Sequence, residues 1–435
     1  MSEQQRAGVI LDVLVREFGE SMGRDPAAFR RKFRKMAASP FAFYRGSASL
    51  FYADLTGPYA DGEFLDPRTS RVWIHGDLHA ENFGTYMNDA GVLVFNVNDF
   101  DEAYVGPFTW DLKRFAASIA LLGYAKALSD AVIGDLVSRF TAAYHAELAA
   151  IAAGGDDAIG SITLDTATGV LRTVLQRARL STRVDLLASQ TTIDSYERRF
   201  SLGEGVYEVD DPTRERVAAA FDAYLGTLPR STGVRPVAAR IKDVKLRKGV
   251  GIGSAGLPSY NLLLEGHTQA LENDVVLYMK QAQVPAVARH IDDPRVAGYF
   301  LHQGHRTAES QRALQAHADP WCGHTVLDGV GQVVAEVSPY AADLDWADVN
   351  EPAELADIVT DLGRAVARMH SVADDESAHD LVDYSTEEAI AAAVGTDPAP
   401  LAAYLVDFAH AYGGRARADH QLFVDLFRNN RLPGL

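Results

Sequence analysis

The chain has 435 residues, 47% hydrophobic and 23% charged, with a formal net charge of −18 at pH 7. That length supports a large core and more than one lobe, and the acidic balance argues against non-specific binding to nucleic acid or to an anionic membrane. A single cysteine, Cys322, excludes an internal disulfide.

The amino terminus is polar, and its short apolar stretch, Val9-Ile10-Leu11, is broken at once by Asp12. No run approaches the ~20 apolar residues of a membrane span. A cytoplasmic protein with no membrane or nucleic-acid partner is expected, its oligomeric state open. Residues 1–70 read as helix and then irregular chain. The basic cluster Arg30, Arg31, Lys32, Arg34 and Lys35 reads as a solvated helix face. Arg45 stands between the aromatic run Phe41-Ala42-Phe43-Tyr44 and Gly46-Ser47, where a rigidly held guanidinium suits a phosphate or carboxylate.

Residues 71–115 carry the densest chemistry. An apolar strand, Val72-Trp73-Ile74, runs into His75-Gly76-Asp77-Leu78-His79-Ala80-Glu81-Asn82; a second strand, Val92-Leu93-Val94-Phe95, runs into Asp99-Phe100-Asp101. Phosphoryl transfer from a nucleotide needs these parts: one carboxylate to orient the acceptor hydroxyl, then an amide oxygen and a second carboxylate to hold Mg²⁺. Polar turns at strand ends are the ordinary alternative. His75 and His79 have the spacing of two metal ligands on a helix, but Gly76-Asp77 argues for a loop and no third ligand is placed.

From residue 112 to 228 apolar residues recur at helical spacing, predicting a mostly helical body. The character changes near residue 235. Gly251, Gly253 and Gly256 form G-x-G-x-x-G, with Ser254 among them, followed by Pro258 and two strand-like runs, residues 260–265 and 275–280. A dinucleotide site needs a helix directly after such glycines; an extended run follows here, as in the phosphate-covering loop of kinases. The second run ends in Lys280, a candidate phosphate-pairing amine, with Glu309 on the next helix as its candidate partner. A strand pair joined by Asp328-Gly329 comes next, then a helical block from residue 351 to the end.

The stretch His75 to Asn82, the cluster Asn98-Asp99-Phe100-Asp101-Glu102 and Trp110-Asp111-Leu112 resemble the core of aminoglycoside-phosphotransferase-type kinases. Nearly the whole chain resembles the bacterial domain-of-unknown-function family 2252, through residues 36–46, the His-Gly-Asp-Leu-His-Ala-Glu-Asn-Phe-Gly run, residues 98–102, residues 106–114 and residues 251–256. The resemblance implies an α+β, bilobal, protein-kinase-like fold and supplies no substrate. In ordinary kinases the glycine loop precedes the catalytic loop; here it follows by about 170 residues. Leu362-Gly363-Arg364-Ala365-Val366-Ala367-Arg368-Met369-His370 looks like the helix that leads into a catalytic loop. A circular permutation is therefore expected, with residues 1–235 as helical catalytic lobe, 236–345 as a small antiparallel-sheet nucleotide lobe and 346–435 as helices completing the first.

The expected function is an ATP- and Mg²⁺-dependent phosphotransferase with an unidentified small-molecule or protein hydroxyl as acceptor. AMP transfer and a catalytically silent nucleotide- or partner-binding module are the alternatives. Asp77 is the candidate base, and His75 joins it as a brace of the loop. Asn82 and either Asp99 or Asp101 would hold the metal, while Gly251, Gly253, Ser254, Gly256, Lys280, Glu309 and Arg45 would serve the nucleotide. Asp111 is expected to fix the catalytic loop from beneath.

Overall fold

The structure is a computed structural model, and it describes residues 1–155, 162–228, 240–248, 257–375, 377 and 380–432. Four helices open the chain, α1 (Glu3–Arg24), α2 (Pro26–Met36), α3 (Pro40–Gly46) and α4 (Ala48–Leu55). The breaks among the first three follow from capping chemistry: Asp25 and Ser39 each accept a backbone N–H of the following helix, with proline directly after the cap. Next come β1 (Val72–Ile74), β2 (Phe83–Met87), β3 (Leu93–Val97) and β4 (Tyr104–Gly106), then α5 (Phe108–Ala125) and α6 (Asp130–Ala152). β1 pairs antiparallel with β4, and β2 with β3, so both acidic loops leave short, fully paired strands.

The stretch expected to be mostly helical holds more strand than its apolar spacing predicts. It contains β5 (Ile162–Thr163), α7 (Gly169–Ala178), α8 (Arg183–Gln190), β6 (Thr191–Asp194), β7 (Glu197–Phe200), β8 (Val206–Tyr207) and α9 (Asp211–Leu225). The short strands have only two to four residues, too few for a two-residue alternation to stand out against helical spacing.

A sheet then forms from β9 (Ile241–Arg247), β10 (Ser259–Leu264) and β11 (Val275–Gln281). Two helices intervene, α10 (Pro294–Tyr299) and α11 (Gln303–Leu314), before β12 (Gly323–Leu327) and β13 (Val330–Glu336). The strand order is β12-β13-β11-β10-β9-β8, antiparallel throughout. The expected Asp328-Gly329 hairpin joins β12 to β13, and both turn residues have positive φ, 52° and 78°. Side chains alternate across the sheet: Leu262 and Leu264 pack with Val217, Phe221 and Tyr224 of α9, and Leu263 faces Leu187 and Phe200. The sheet's packing partners thus reach back to β8 and α9.

The last block is helical as expected, with α12 (Pro352–Ser371), α13 (Thr386–Val394) and α14 (Ala399–Arg428). Leu355, Ile358, Leu362, Val366 and Met369 of α12 enter the main core with α5, α6, α14 and the strands around β1 and β3. A second cluster joins α1 and α2 to the end of α14 through Ile10, Leu14, Phe29, Phe33 and Phe423. Among the described residues no single helix is long and apolar enough to cross a membrane.

Candidate active site

The loop after β1 is held from below, as expected. Asp111 on α5, fully buried, accepts the backbone N–H of His75 at 2.6 Å and of Gly76 at 2.9 Å. His370 of α12 lies 3.3 Å from the same carboxylate, and the Tyr52 hydroxyl donates to the Gly76 carbonyl. Gly76 has φ +76°, and a Cβ there would fall 2.1 Å from the Glu102 carbonyl oxygen, so the turn requires glycine. His75 Nδ1 accepts the Asp77 N–H at 3.2 Å, which leaves the ring proton on Nε2 for the Asn98 carbonyl at 2.7 Å. His75 is buried and braces two loops together.

Asp77 points into a cleft of about 560 Å³ between the sheet and the helical body. Arg114, fully buried one turn along α5, donates from Nε to Asp77 Oδ1 at 2.7 Å and again from Nη2. The guanidinium stacks over Tyr44, 4.5 Å from the ring centroid, and burial of its charge is outweighed by Asp77, so it stays protonated. This arrangement commits Oδ1 and leaves Oδ2 as the available oxygen. His79, buried 3.8 Å from Oδ2, is pushed well below its usual pKa by burial and by Arg45 and Arg114, so it is neutral. Asn82 donates from Nδ2 to the Asp77 carbonyl at 2.9 Å, which turns its amide oxygen away from the loop. Its side chain lines the same cleft.

Asp99, at φ +60°, and Asp101 both face this cleft across Phe100. The Asp99 carboxyl is pushed up to about 6, first by enclosure within the cleft walls and then by the charge of Asp101. The side chain remains open to water in the cleft, and the surrounding walls disfavour its charged form. For Asp101 the penalty of burial is outweighed by Lys280, and its carboxyl is held below the usual range. Lys280 Nζ lies 2.6 Å from Asp101 Oδ2. Burial opposes the charge of Lys280, and Asp101 and Asp99 overcome it.

Glu309 is a correction. Lys280 pairs with Asp101, whereas Glu309 pairs with Arg312 at 2.7 Å on its own helix. Glu309 also lies beside His305 and His324, with ligand atoms of the three within 4.8 Å of one another. The Leu301 N–H donated to His305 Nδ1 places that ring's proton on Nε2, the atom a metal would need. The α11 side chain that reaches the acidic loop is Arg306. Fully buried, it donates to the carbonyls of Asp101 and Ala103, both at 2.7 Å, and of Gln283 at 3.0 Å.

Arg45 lines the cleft and forms an ion pair with Glu81, which does not line it. Gly251, Gly253, Ser254 and Gly256 lie outside the described residues. The strands on either side of them are adjacent and antiparallel, with Arg247 opposite Ser259, and both of these residues line the cleft. Lys32 departs from expectation: it is buried, at 4% exposure, and lines the cleft instead of a solvated face.

Arg114, Arg306 and Glu102 were not singled out in the sequence. Glu102 accepts the Ala286 N–H at 2.6 Å, and burial lifts its carboxyl to about 8. One signal was present for Arg114: a charge inside an apolar helix, three residues after a buried Asp, needs a partner. Glu102 lies within the acidic cluster of residues 98–102, while nothing local marks Arg306.

These elements define a mixed α+β protein whose conspicuous polar residues converge on one cleft between the sheet and the helical body. The chain belongs to the family DUF2252, described as an uncharacterized protein conserved in bacteria, whose model matches residues 24–426. No curated protein and no solved structure matches it.

Proposed function

We propose that the protein is an ATP- and Mg²⁺-dependent phosphotransferase of circularly permuted, kinase-like architecture, acting on the hydroxyl of a small molecule. The observation that carries this reading is the convergence of Asp77, Asn82, Asp99, Asp101 and Lys280 on one cleft, with Lys280 and Asp101 in contact at 2.6 Å. A phosphate-pairing amine on a sheet strand facing carboxylates on a loop is the pairing that phosphoryl transfer uses. The permuted order is supported by two connections. Thr85 N–H donates to the Ala342 carbonyl at 2.9 Å where the chain leaves β13, and His370, at the end of α12, meets Asp111 beneath the catalytic loop.

The donor set fits a hard divalent cation. Asp99, Asp101 and Asn82 line the cleft together, with Lys280 paired to Asp101, and Asp99 is pushed up to about 6 first by enclosure and then by the charge of Asp101, a rise that a bound cation would relieve. Bound there, Mg²⁺ would neutralise the charge of the phosphate oxygens. Lys280 then binds the phosphates, and Asn82 keeps the catalytic loop in register through the Asp77 carbonyl. Asp77 Oδ2 accepts a hydrogen bond from the acceptor hydroxyl. As the acceptor oxygen bonds to the γ-phosphorus, the bond from that phosphorus to its bridging oxygen breaks, ADP leaves, and the hydroxyl proton passes to Asp77. Arg114 fixes the orientation of the Asp77 carboxylate, and a carboxylate suffices as base where the proton moves late. Lys32 and Glu17, from α2 and α1, line the cleft opposite the sheet and limit it to a small acceptor.

The test is incubation with a bacterial metabolite pool and ATP labelled at either the α or the γ position, with Asp77→Asn as control. γ-Label on a product made by the native protein and not by the variant is expected. α-Label on the product would replace this reading with AMP transfer, and transfer of neither label would leave a binding module.

A further inference from the structure

The helical wall of the cleft carries donors that the protein does not satisfy. Lys32 of α2 is 4% exposed and lines the cleft, and among the described residues no carboxylate forms an ion pair with it. Its ammonium instead rests 3.8 Å from the centroid of the Phe18 ring. Glu102, Glu17 and Asp77 act on it only from a distance. Each of the three is already engaged: Glu102 by the Ala286 N–H, Glu17 by Arg289 at 3.0 Å and Asp77 by Arg114. Ser49 of α4 and Arg45 of α3 line the same cavity, and the buried Ser49 Oγ and Arg45 Nε have no hydrogen-bond partner. Lys32, Ser49 and Arg45, from three helices, thus line one space with an unpaired ammonium, a buried unpartnered hydroxyl and a guanidinium that pairs with Glu81 while its Nε stays unpartnered. A buried ammonium without a counter-ion is costly, and a ligand that supplies the counter-ion recovers that cost as affinity.

We propose that Lys32, assisted by Ser49, binds an anionic group on the acceptor, so that the acceptor is a hydroxylated carboxylate or phosphate ester. This rests on the phosphotransferase reading for the word acceptor, though not for the anion site itself. Lys280 serves the nucleotide from the sheet side, and Lys32 serves the second substrate from the helical side. The −18 net charge of the chain favours a cationic ligand over an anionic one only in the far field; within the cleft the unpaired ammonium decides.

The experiment is a thermal-shift and calorimetric titration with matched probes: polyols, the hydroxy acids on the same carbon skeletons, and the corresponding phosphate esters. Each set is run with and without Mg²⁺ and a non-hydrolysable ATP analogue. Acidic probes are expected to raise Tm while the parent polyols do not, and whichever acidic arm binds tighter identifies the source of the anion. Lys32→Met should weaken the acidic probe at least ten-fold, and Ser49→Ala, which removes only an unpartnered hydroxyl, should weaken it less. If Lys32→Met fails to fold, Ser49→Ala carries the comparison. The proposal is overturned if polyols or amines bind as well as acids, or if no acidic probe binds. It is equally overturned if the acid shift survives both variants, or if Lys32→Met weakens the nucleotide analogue instead. Failure of the analogue to bind the native protein would sink the phosphotransferase reading alone, because the arms without nucleotide still report on the Lys32 site.

Discussion

Lys280 and Asp101 are 179 residues apart in the chain and 2.6 Å apart in space, joining the sheet to the acidic loop across the cleft. The pair does two things at once. It holds the amine charged and aimed into the cleft, and it keeps Asp101 ionised beside Asp99. Lys280→Met should therefore lower Mg²⁺-ATP affinity ten-fold or more, about 1.4 kcal/mol or above. Isothermal titration of the variant checks this; an unchanged dissociation constant would show that another cation serves the phosphates.

Asp77→Asn keeps the shape of the side chain and a hydrogen-bond acceptor for Arg114 but removes the proposed proton acceptor. Turnover should fall about 10²- to 10⁴-fold, with nucleotide affinity within a few-fold of native. Asp77→Ala is a poorer probe, because it strands the fully buried Arg114 without its carboxylate and should cost about 3–5 kcal/mol of stability. Chemical denaturation of both variants separates the catalytic effect from the structural one.

What the sequence disclosed and what it hid divide along a physical line. Asp77, Asn82, Asp99, Asp101 and the anchoring Asp111 sit in short stretches whose turn geometry is local, and each lies where those stretches require. Lys280 was legible because a strand ending in lysine after glycines and an extended run is also a local pattern. Its partner was not, since a strand-to-loop pairing across a cleft leaves no local trace, and Glu309 was the nearer but wrong choice. Lys32 shows the converse failure. Five basic residues within six positions resemble a solvated face, and only the packing of α1 against α2 and α14 buries one of them. The small strands between residues 162 and 207 escaped because each is shorter than the window in which a two-residue period can be distinguished.

Asp111 accepts the backbone N–H groups of both His75 and Gly76, so its loss acts on the loop rather than on the chemistry. Asp111→Ala leaves two buried N–H groups unpaired and should destabilise the protein by roughly 2–4 kcal/mol. Activity should fall with it, while Asp111→Asn, which can satisfy one of the two, falls between. Equal melting temperatures for native protein and Asp111→Ala would exclude the anchoring role.

Burial lowers the Lys32 ammonium from 10.5 to about 8. Because the folded pKa is below the unfolded one, the unfolded chain binds more protons between these values, and stability must rise with pH across that window. Below pH 8 both states are charged and the folded state carries the full cost of the buried ammonium. Lys32→Met should consequently be more stable than native at pH 7, on the order of 1–3 kcal/mol, with the gap closing as pH climbs toward 10.5. Denaturation midpoints of both proteins from pH 6.5 to 10.5 test this, and a gap that does not narrow would show that the ammonium is not desolvated.

The two ends of the chain are fastened to each other by one guanidinium. Arg6 of α1 donates to Asp54 of α4 at 2.7 and 2.6 Å and to Asp419 of α14 at 3.0 and 2.5 Å, all three side chains being buried. Tyr412 adds a hydroxyl donor to Asp54 at 2.9 Å. Burial raises the Asp419 carboxyl, and Arg6 opposes that rise, so removing the guanidinium would leave two buried carboxylates facing one another. Arg6→Met should cost about 3–5 kcal/mol at pH 7. The loss should shrink as pH falls and the carboxyls protonate, since neutral acids can hydrogen-bond to each other. If α1 and α14 together complete the helical lobe, the same substitution should also loosen α2, which packs on both, and with it the Lys32 wall of the cleft. Hydrogen exchange read over residues 26–36 and 399–428 measures that directly. Unchanged protection in α2 would separate the terminal clasp from the cleft, and faster exchange in both segments would join them into one cooperative unit.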